Sequence, residues 1–204
     1  DPRIQSVELL LHEQASRQIS TELPHSEEAR GERAAPARPT LAPWRALTTS
    51  PLPQVHYLTN GRYGLLLTND GSGYSQWQQY ALTRWRADAT LDDWGTWIYV
   101  QDRDSRETWS ASFQPAGVNP EESEVRFHMH MVEYRIRHRG ISLRTQVAVS
   151  PEDDVEIRNL TLTNHGDHIR RLSLTSYGEV VLAPRLADLH HPAFNRLFVE
   201  SEYV

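Results

Sequence analysis

Five of the six tryptophans in this 204-residue chain fall between Trp77 and Trp109. The stretch Tyr74-Ser75-Gln76-Trp77, Arg84-Trp85-Arg86, Asp92-Asp93-Trp94-Gly95-Thr96-Trp97 and Trp109-Ser110 interleaves aromatic rings with carboxylates, amides and guanidinium groups. Sugars are held by that mixture: an aromatic face takes the C–H surface of the ring, and planar polar groups hydrogen-bond its hydroxyls. The candidate carbohydrate contacts are Trp77, Arg84, Arg86, Asp92, Asp93, Trp94 and Trp109. Against this stands the use of tryptophan as a core filler, to which Trp85 and Trp97 are assigned. Arg84 and Arg86, two apart, share a strand face opposite Trp85. With Asp88, Asp92 and Asp93 close behind, they predict a local Arg–carboxylate network tying a loop to a sheet, with sugar or phosphate ligation as the alternative. Asp92-Asp93 is not a glycosidase pair by adjacency. Neighbouring strand residues point to opposite faces, whereas that chemistry needs two carboxyls about 5–10 Å apart across one substrate.

Other chemistries find less support. His128 and His130 form an H-x-H pair on one face of an expected strand, and His190-His191 adds two imidazoles, but no H-E-x-x-H pattern accompanies them. There is no G-x-S-x-G, no P-loop and no dinucleotide fingerprint; Gly71-Ser72-Gly73 follows a strand but opens no helix. The absence of cysteine excludes a thiolate nucleophile and thiolate-ligated metal, and the absence of lysine excludes a Schiff base within this chain. All 21 basic residues are arginine, and the formal charge of −6 argues against duplex nucleic acid as partner. Tyr134, Ile136 and His138 alternate with Arg135, Arg137 and Arg139, which predicts a basic, solvent-facing strand surface.

The elements that must position these residues are mostly strands. Ile141, Leu143, Thr145, Val147 and Val149 alternate cleanly until Ser150-Pro151-Glu152-Asp153 breaks the run. Val125, Phe127, Met129 and Met131 also alternate, predicting one strand through His130. Val155 and Ile157 take one phase and Leu160 and Leu162 the other, which predicts a bulge. Arg62–Thr68, Gly95–Gln101, the region after the Asn164–Asp167 turn, and Phe198–Val204 read as further strands. Several strands so spaced predict an antiparallel sandwich, not βαβ units. Before them, residues 1–19 carry Ile4, Val7, Leu10 and Leu11 at helical spacing. Residues 20–40 are poor in apolar side chains and read as a linker or surface-wrapping arm. No apolar run is long enough to span a membrane. The start without methionine and the strand-like end predict a piece of something larger.

The ordered series His56–Tyr63, Gly71–Ser75, Leu82–Arg86, Asp93–Gly95, Trp109-Ser110 and Phe113–Pro115 resembles the N-terminal β-supersandwich of cellobiose-phosphorylase-type glycoside phosphorylases. Val149–Asp154, Leu162–Asn164, Thr175–Pro184 and His191–Phe194 are similar to the phosphorylase-like region of the cyclic β-1,2-glucan synthases, as is the opening Glu8–Glu13. The resemblance implies an all-β, antiparallel β-supersandwich over 41–204, with a short N-terminal helix and an irregular arm before it. It implies a following (α/α)6 barrel carrying the catalytic acid, phosphate as co-substrate of the parent family and no other cofactor. The sandwich itself would be non-catalytic, with a β-glucan oligosaccharide, its own barrel and a second copy as partners. Asn195 and Arg196 correspond to a region where some phosphorylases place a substrate-contacting arginine. An autonomous carbohydrate-binding module and a purely structural dimerisation domain are the alternatives. The family also implies a parent anchored in a bacterial cytoplasmic membrane, with this region on the cytoplasmic side.

Overall fold

The computed structural model describes residues 42–48, 50, 52–86 and 91–203. The expected helix over 1–19, the arm over 20–40 and Asp88 lie outside them. Every strand pairing within the described residues is antiparallel. One five-stranded sheet runs in the order β1 (Trp44–Ala46), β8 (Glu122–Phe127), β9 (Met131–His138), β10 (Ile141–Val149), β11 (Glu156–Asn164). A second runs β13 (Val180–Pro184), β5 (Tyr80–Thr83), β4 (Gly73–Trp77), β3 (Tyr63–Thr68), β2 (Val55–Thr59). A third, of three strands, runs β12 (Leu172–Tyr177), β6 (Trp97–Asp102), β7 (Thr108–Ser110). Two short helices close the chain, α1 (Arg185–His190) and α2 (Pro192–Arg196).

The long strand β10 explains why one sheet can back two others. Its inward residues are Ile141, Leu143, Thr145 and Val147, every second position, as a half-buried strand requires. Val147 joins Leu58, Leu65, Leu67, Phe127 and Val132 in a core between the two five-stranded sheets. Ile141 and Leu143 join Val100 and Trp109 in a second core under the three-stranded sheet. Tyr134 Oη donates a 2.7 Å hydrogen bond to the Thr68 carbonyl, so β9 is joined to β3 at the end of the first core. Burial pushes the Tyr134 phenol well above its ordinary value, so it remains a donor.

Three expectations about strands are corrected. Val125–Met131 is not one strand: β8 stops at Phe127 and β9 begins at Met131, with the His128 N–H donating to the Met131 carbonyl at 2.8 Å across a two-residue turn. His128 and His130 therefore sit at a hairpin, not on a strand face. Met129 is exposed there, so the apolar alternation carries burial at Val125 and Phe127 but not through the turn. Second, β11 has no bulge; its register against β10 is unbroken from Ile141↔Asn164 to Val149↔Glu156. The apparent phase change arises because Glu156 and Arg158 share the inward phase of Leu160 and Leu162 while Ile157 faces out. Glu156 accepts hydrogen bonds from Tyr63 Oη at 3.1 Å and Ser75 Oγ at 2.6 Å, and it pairs with Arg158. Arg158 in turn donates to the Thr96 carbonyl at 2.9 Å, so the inward polar pair is satisfied. Third, 198–203 forms no strand: Pro192 at the first turn starts α2, and the chain continues through a turn with Phe198 and Tyr203 exposed and no strand beside them.

The arginines of β9 face outward as expected, with Tyr134, Ile136 and His138 buried on the other side. That face is not simply basic. Arg135 meets Glu133 at 2.7 Å, Arg144 meets Glu133 at 2.6 Å, and Arg137 meets Glu122 at 3.2 Å.

Candidate functional site

A pocket of about 380 Å³ opens over the three-stranded sheet. Its floor follows from register. Trp97 and Tyr99 lie two apart on β6 and so share a face. Tyr177, at the end of β12, stands directly opposite Trp97 in the ladder and projects to the same side. Trp94 and Asp93 come from the loop before β6, Gln114 from the loop after β7, Glu179 from the β12–β13 turn, and Arg84 from the residue after β5.

The Trp94 loop is pinned from below. Ser72 Oγ and the Gly73 N–H both donate to the Trp94 carbonyl, at 2.5 and 2.8 Å. Asp92, buried and at φ 47°, accepts a 2.7 Å hydrogen bond from Thr68 Oγ1, and Gln114 Nε2 donates to the Leu91 carbonyl at 2.7 Å. Adjacent Asp92 and Asp93 are thus divided: the first anchors the loop, and the second is exposed and lines the pocket. Asp70, next to Asp92, is pushed up to about 6 by burial and by the Asp92 charge. Gly71-Ser72-Gly73 also finds its purpose here. At Gly73, with φ +152°, a Cβ would stand 1.8 Å from the Leu66 carbonyl oxygen, so only glycine lets β4 run this close to β3.

The two arginines of the tryptophan-rich segment do form a carboxylate network, and among the described residues its carboxylates are Glu179 and Asp188, not Asp92 or Asp93. Arg84, almost fully buried, meets Glu179 at 2.5 Å and Asp188 of α1 at 2.6 Å, and Arg86 meets Asp188 at 3.0 Å. The hydrogen bond from Arg84 is the main reason the Asp188 carboxyl is held below its ordinary range, and the same bond raises the guanidinium. The network ties α1 to the end of β5, and the local loop tie expected from Asp92 and Asp93 is corrected accordingly. Arg86 also lies 5.9 Å over the Trp94 ring, and Arg185 lies about 5 Å from both Tyr74 and Trp85. Glu179 is shared again, by Arg196 at 3.1 Å.

Of the residues proposed from sequence, Arg84, Asp93 and Trp94 line the pocket. Arg86 touches it through Trp94, and Arg196 through Glu179. Asn195 is on α2, where its carbonyl accepts the Leu197 N–H. Trp109 is 2% exposed in the second core, and Trp77 lies elsewhere, at the β4–β5 hairpin. Trp97, assigned to the core, is indeed buried but forms part of the floor; Trp85 is half-buried. Tyr99, Gln114, Tyr177 and Glu179 were missed. The i, i+2 aromatics at 97 and 99 were a local signal, whereas nothing in sequence places Tyr177 and Glu179 beside them; only the β6–β12 pairing does.

Among the described residues, the pocket is lined by stacking surface and hydrogen-bonding groups, without histidine, serine or threonine side chains. Among the described residues no group of three or more histidine, aspartate or glutamate side chains is placed to hold a metal ion. No described helix is long and apolar enough to cross a membrane.

Three antiparallel sheets, one backing two, with a ring-lined pocket over the three-stranded one, define a β-supersandwich domain. Residues 43–204 match the family described as glycosyl hydrolase 94, supersandwich domain, and the chain belongs to that family. It is 34% identical over 206 residues to the cyclic beta-(1,2)-glucan synthase NdvB of Rhizobium meliloti (strain 1021), an alignment covering 99% of this chain and 7% of that protein. It is also 28% identical over 134 residues to the N,N'-diacetylchitobiose phosphorylase of Vibrio proteolyticus, covering 63% of this chain and 17% of the relative. The enzyme of the same description from Vibrio furnissii is 24% identical over 158 residues, 75% of this chain and 20% of the relative. The chain therefore spans a fifth or less of the length of these relatives.

Proposed function

We propose that this domain is the non-catalytic supersandwich of a cyclic β-1,2-glucan synthase and holds a β-glucan segment in the pocket formed by Trp94, Trp97, Tyr99, Tyr177, Arg84 and Glu179. The observation that carries the reading is the pocket itself: aromatic faces from two paired strands beside a guanidinium, a carboxylate and an amide. This is the combination that stacks on a pyranose and hydrogen-bonds its hydroxyls. Family membership and the extended match to a glucan synthase support the choice of ligand. The parent's chemistry resides in a following (α/α)6 barrel, with phosphate as its co-substrate, and the parent is anchored in the membrane. Leu186, Leu189, Phe194, Leu197 and Phe198, all more than half exposed on and after the two helices, are the surface on which that barrel packs.

Titration of the 204-residue chain with linear β-1,2-gluco-oligosaccharides, followed by tryptophan fluorescence and calorimetry, tests the reading, with cello-oligosaccharides as linkage control. Saturable, linkage-selective binding that Trp94→Ala weakens about tenfold is expected. Binding indifferent to Trp94→Ala, or measurable phosphorolysis by this chain alone, overturns it.

A further inference from the structure

The β4–β5 hairpin carries a second set of aromatic rings that the pocket does not use. Tyr63, Trp77 and Tyr80 are cross-strand partners in register on β3, β4 and β5, so all three project to one face. Tyr63 is buried, whereas Trp77 and Tyr80 at the end of the row are 36% and 37% exposed. Their rings are within 15° of parallel with centroids 6.4 Å apart, a stacked pair too distant for full overlap, and each is about one-third exposed.

This surface is held in place. Trp77 Nε1 donates to Asp154 Oδ2 at 2.7 Å, and the same carboxylate accepts from Arg62 Nε at 2.9 Å and Asn60 Nδ2 at 3.2 Å. An indole N–H lies in the ring plane, so this bond grips the edge of the Trp77 ring and fixes its orientation. Asn60 also donates to the carbonyls of Ser150 and Asp153, so the anchor is rooted in the β10–β11 turn. The hairpin tip is tight: Gln78 has φ 51°, a left-handed conformation that a non-glycine residue adopts only under constraint. Gln78 and Gln79, between the two ring-bearing residues in sequence, are both exposed and bring two carboxamides to the hairpin tip.

The geometry points to a second carbohydrate site: the part-exposed, stacked Trp77–Tyr80 pair at the β4–β5 hairpin, with Gln78 and Gln79 at its tip, takes up an extended β-glucan, a choice of ligand that rests on the proposed function. A rigid aromatic pair with planar donors and acceptors at its rim matches a ligand with apolar ring faces and hydroxyl edges, where an apolar protein partner would be met by aliphatic neighbours. The platform has a different shape from the pocket and does not depend on it. The pocket, about 380 Å³, suits a short oligosaccharide, whereas the paired rings at the hairpin are reached by a longer chain.

Calorimetry on the 204-residue chain with a β-1,2-linked disaccharide and with a longer linear β-1,2-gluco-oligosaccharide separates the two sites. Tyr80→Ala and Trp77→Ala are each expected to weaken the longer ligand about three- to tenfold and to leave the disaccharide unchanged. Trp77→Phe, which keeps a ring face but loses the edge bond to Asp154, is expected to fall between parent and alanine. Should Trp77→Ala lower the unfolding temperature, Tyr80→Ala decides. Unchanged affinity for the longer ligand in folded Tyr80→Ala, or no binding of it by the parent chain, overturns the platform. Trp94→Ala, which weakens disaccharide binding about tenfold under the pocket reading, reports on the pocket alone.

Discussion

Arg84 shows what a buried charge does here. Its guanidinium and the Asp188 carboxylate are each about 3% exposed and meet at 2.6 Å, joining the strand end of β5 to α1. Removing Arg84 leaves the buried Asp188 carboxylate with Arg86 as its one remaining ion-pair partner, so Arg84→Met is expected to cost about 3 kcal/mol in urea unfolding. Because the Asp188 carboxyl is lowered from 3.8, its contribution is complete above that value and is lost as pH falls through the lower folded one. Asp70 runs the other way. Its folded value, raised from 3.8 to about 6, means the native state keeps a proton that the unfolded chain has already released, so stability falls as pH rises through this interval. Asp70→Asn keeps an acceptor for Asn69 Nδ2 and removes the charge. The variant is expected to melt higher than the parent above pH 6 and alike below 3.8, by thermal unfolding across that range.

At the scale of elements, β10 is the strand on which both cores depend. Leu143 is 1% exposed in the core under the three-stranded sheet, so Leu143→Ala is expected to destabilise by about 3–5 kcal/mol. The pocket floor rests on this sheet, and the same variant should loosen it, read as faster hydrogen exchange in β6. Gly73→Ala is the harsher change, since the added methyl would sit 1.8 Å from the Leu66 carbonyl oxygen and force β4 from β3. Loss of folded protein by circular dichroism is the expected outcome. The alternation along β10 was fully legible, because both its ends face apolar partners. Along β11 it was obscure, because half of its inward face is the Glu156–Arg158 pair rather than hydrocarbon. At β8–β9 the turn at Met129-His130 carries no glycine, proline or asparagine to mark it.

At the scale of the whole molecule, a line of exposed apolar residues from Leu186 to Phe198 remains outside either core. Changing Leu197 and Phe198 to serine is expected to shift stability by no more than about 0.5 kcal/mol while reducing binding of a hydrophobic dye. An equal loss of stability and dye binding would mean that these side chains are packed within the domain. The sequence by itself determined the antiparallel β class, the glycine at Gly73 that follows the strand, the lack of cysteine and lysine chemistry, and the crowding of tryptophan into one segment, since composition and period-2 patterning are local properties of the chain. Only the tertiary structure decided which of those aromatics share a pocket, that Glu179 and Asp188 rather than Asp92 and Asp93 partner Arg84, and that Trp109 is core while Trp77 is surface. Those outcomes depend on register between strands nearly a hundred residues apart, and such pairings are selected by the free energy of the assembled sheets, not by neighbours in the chain.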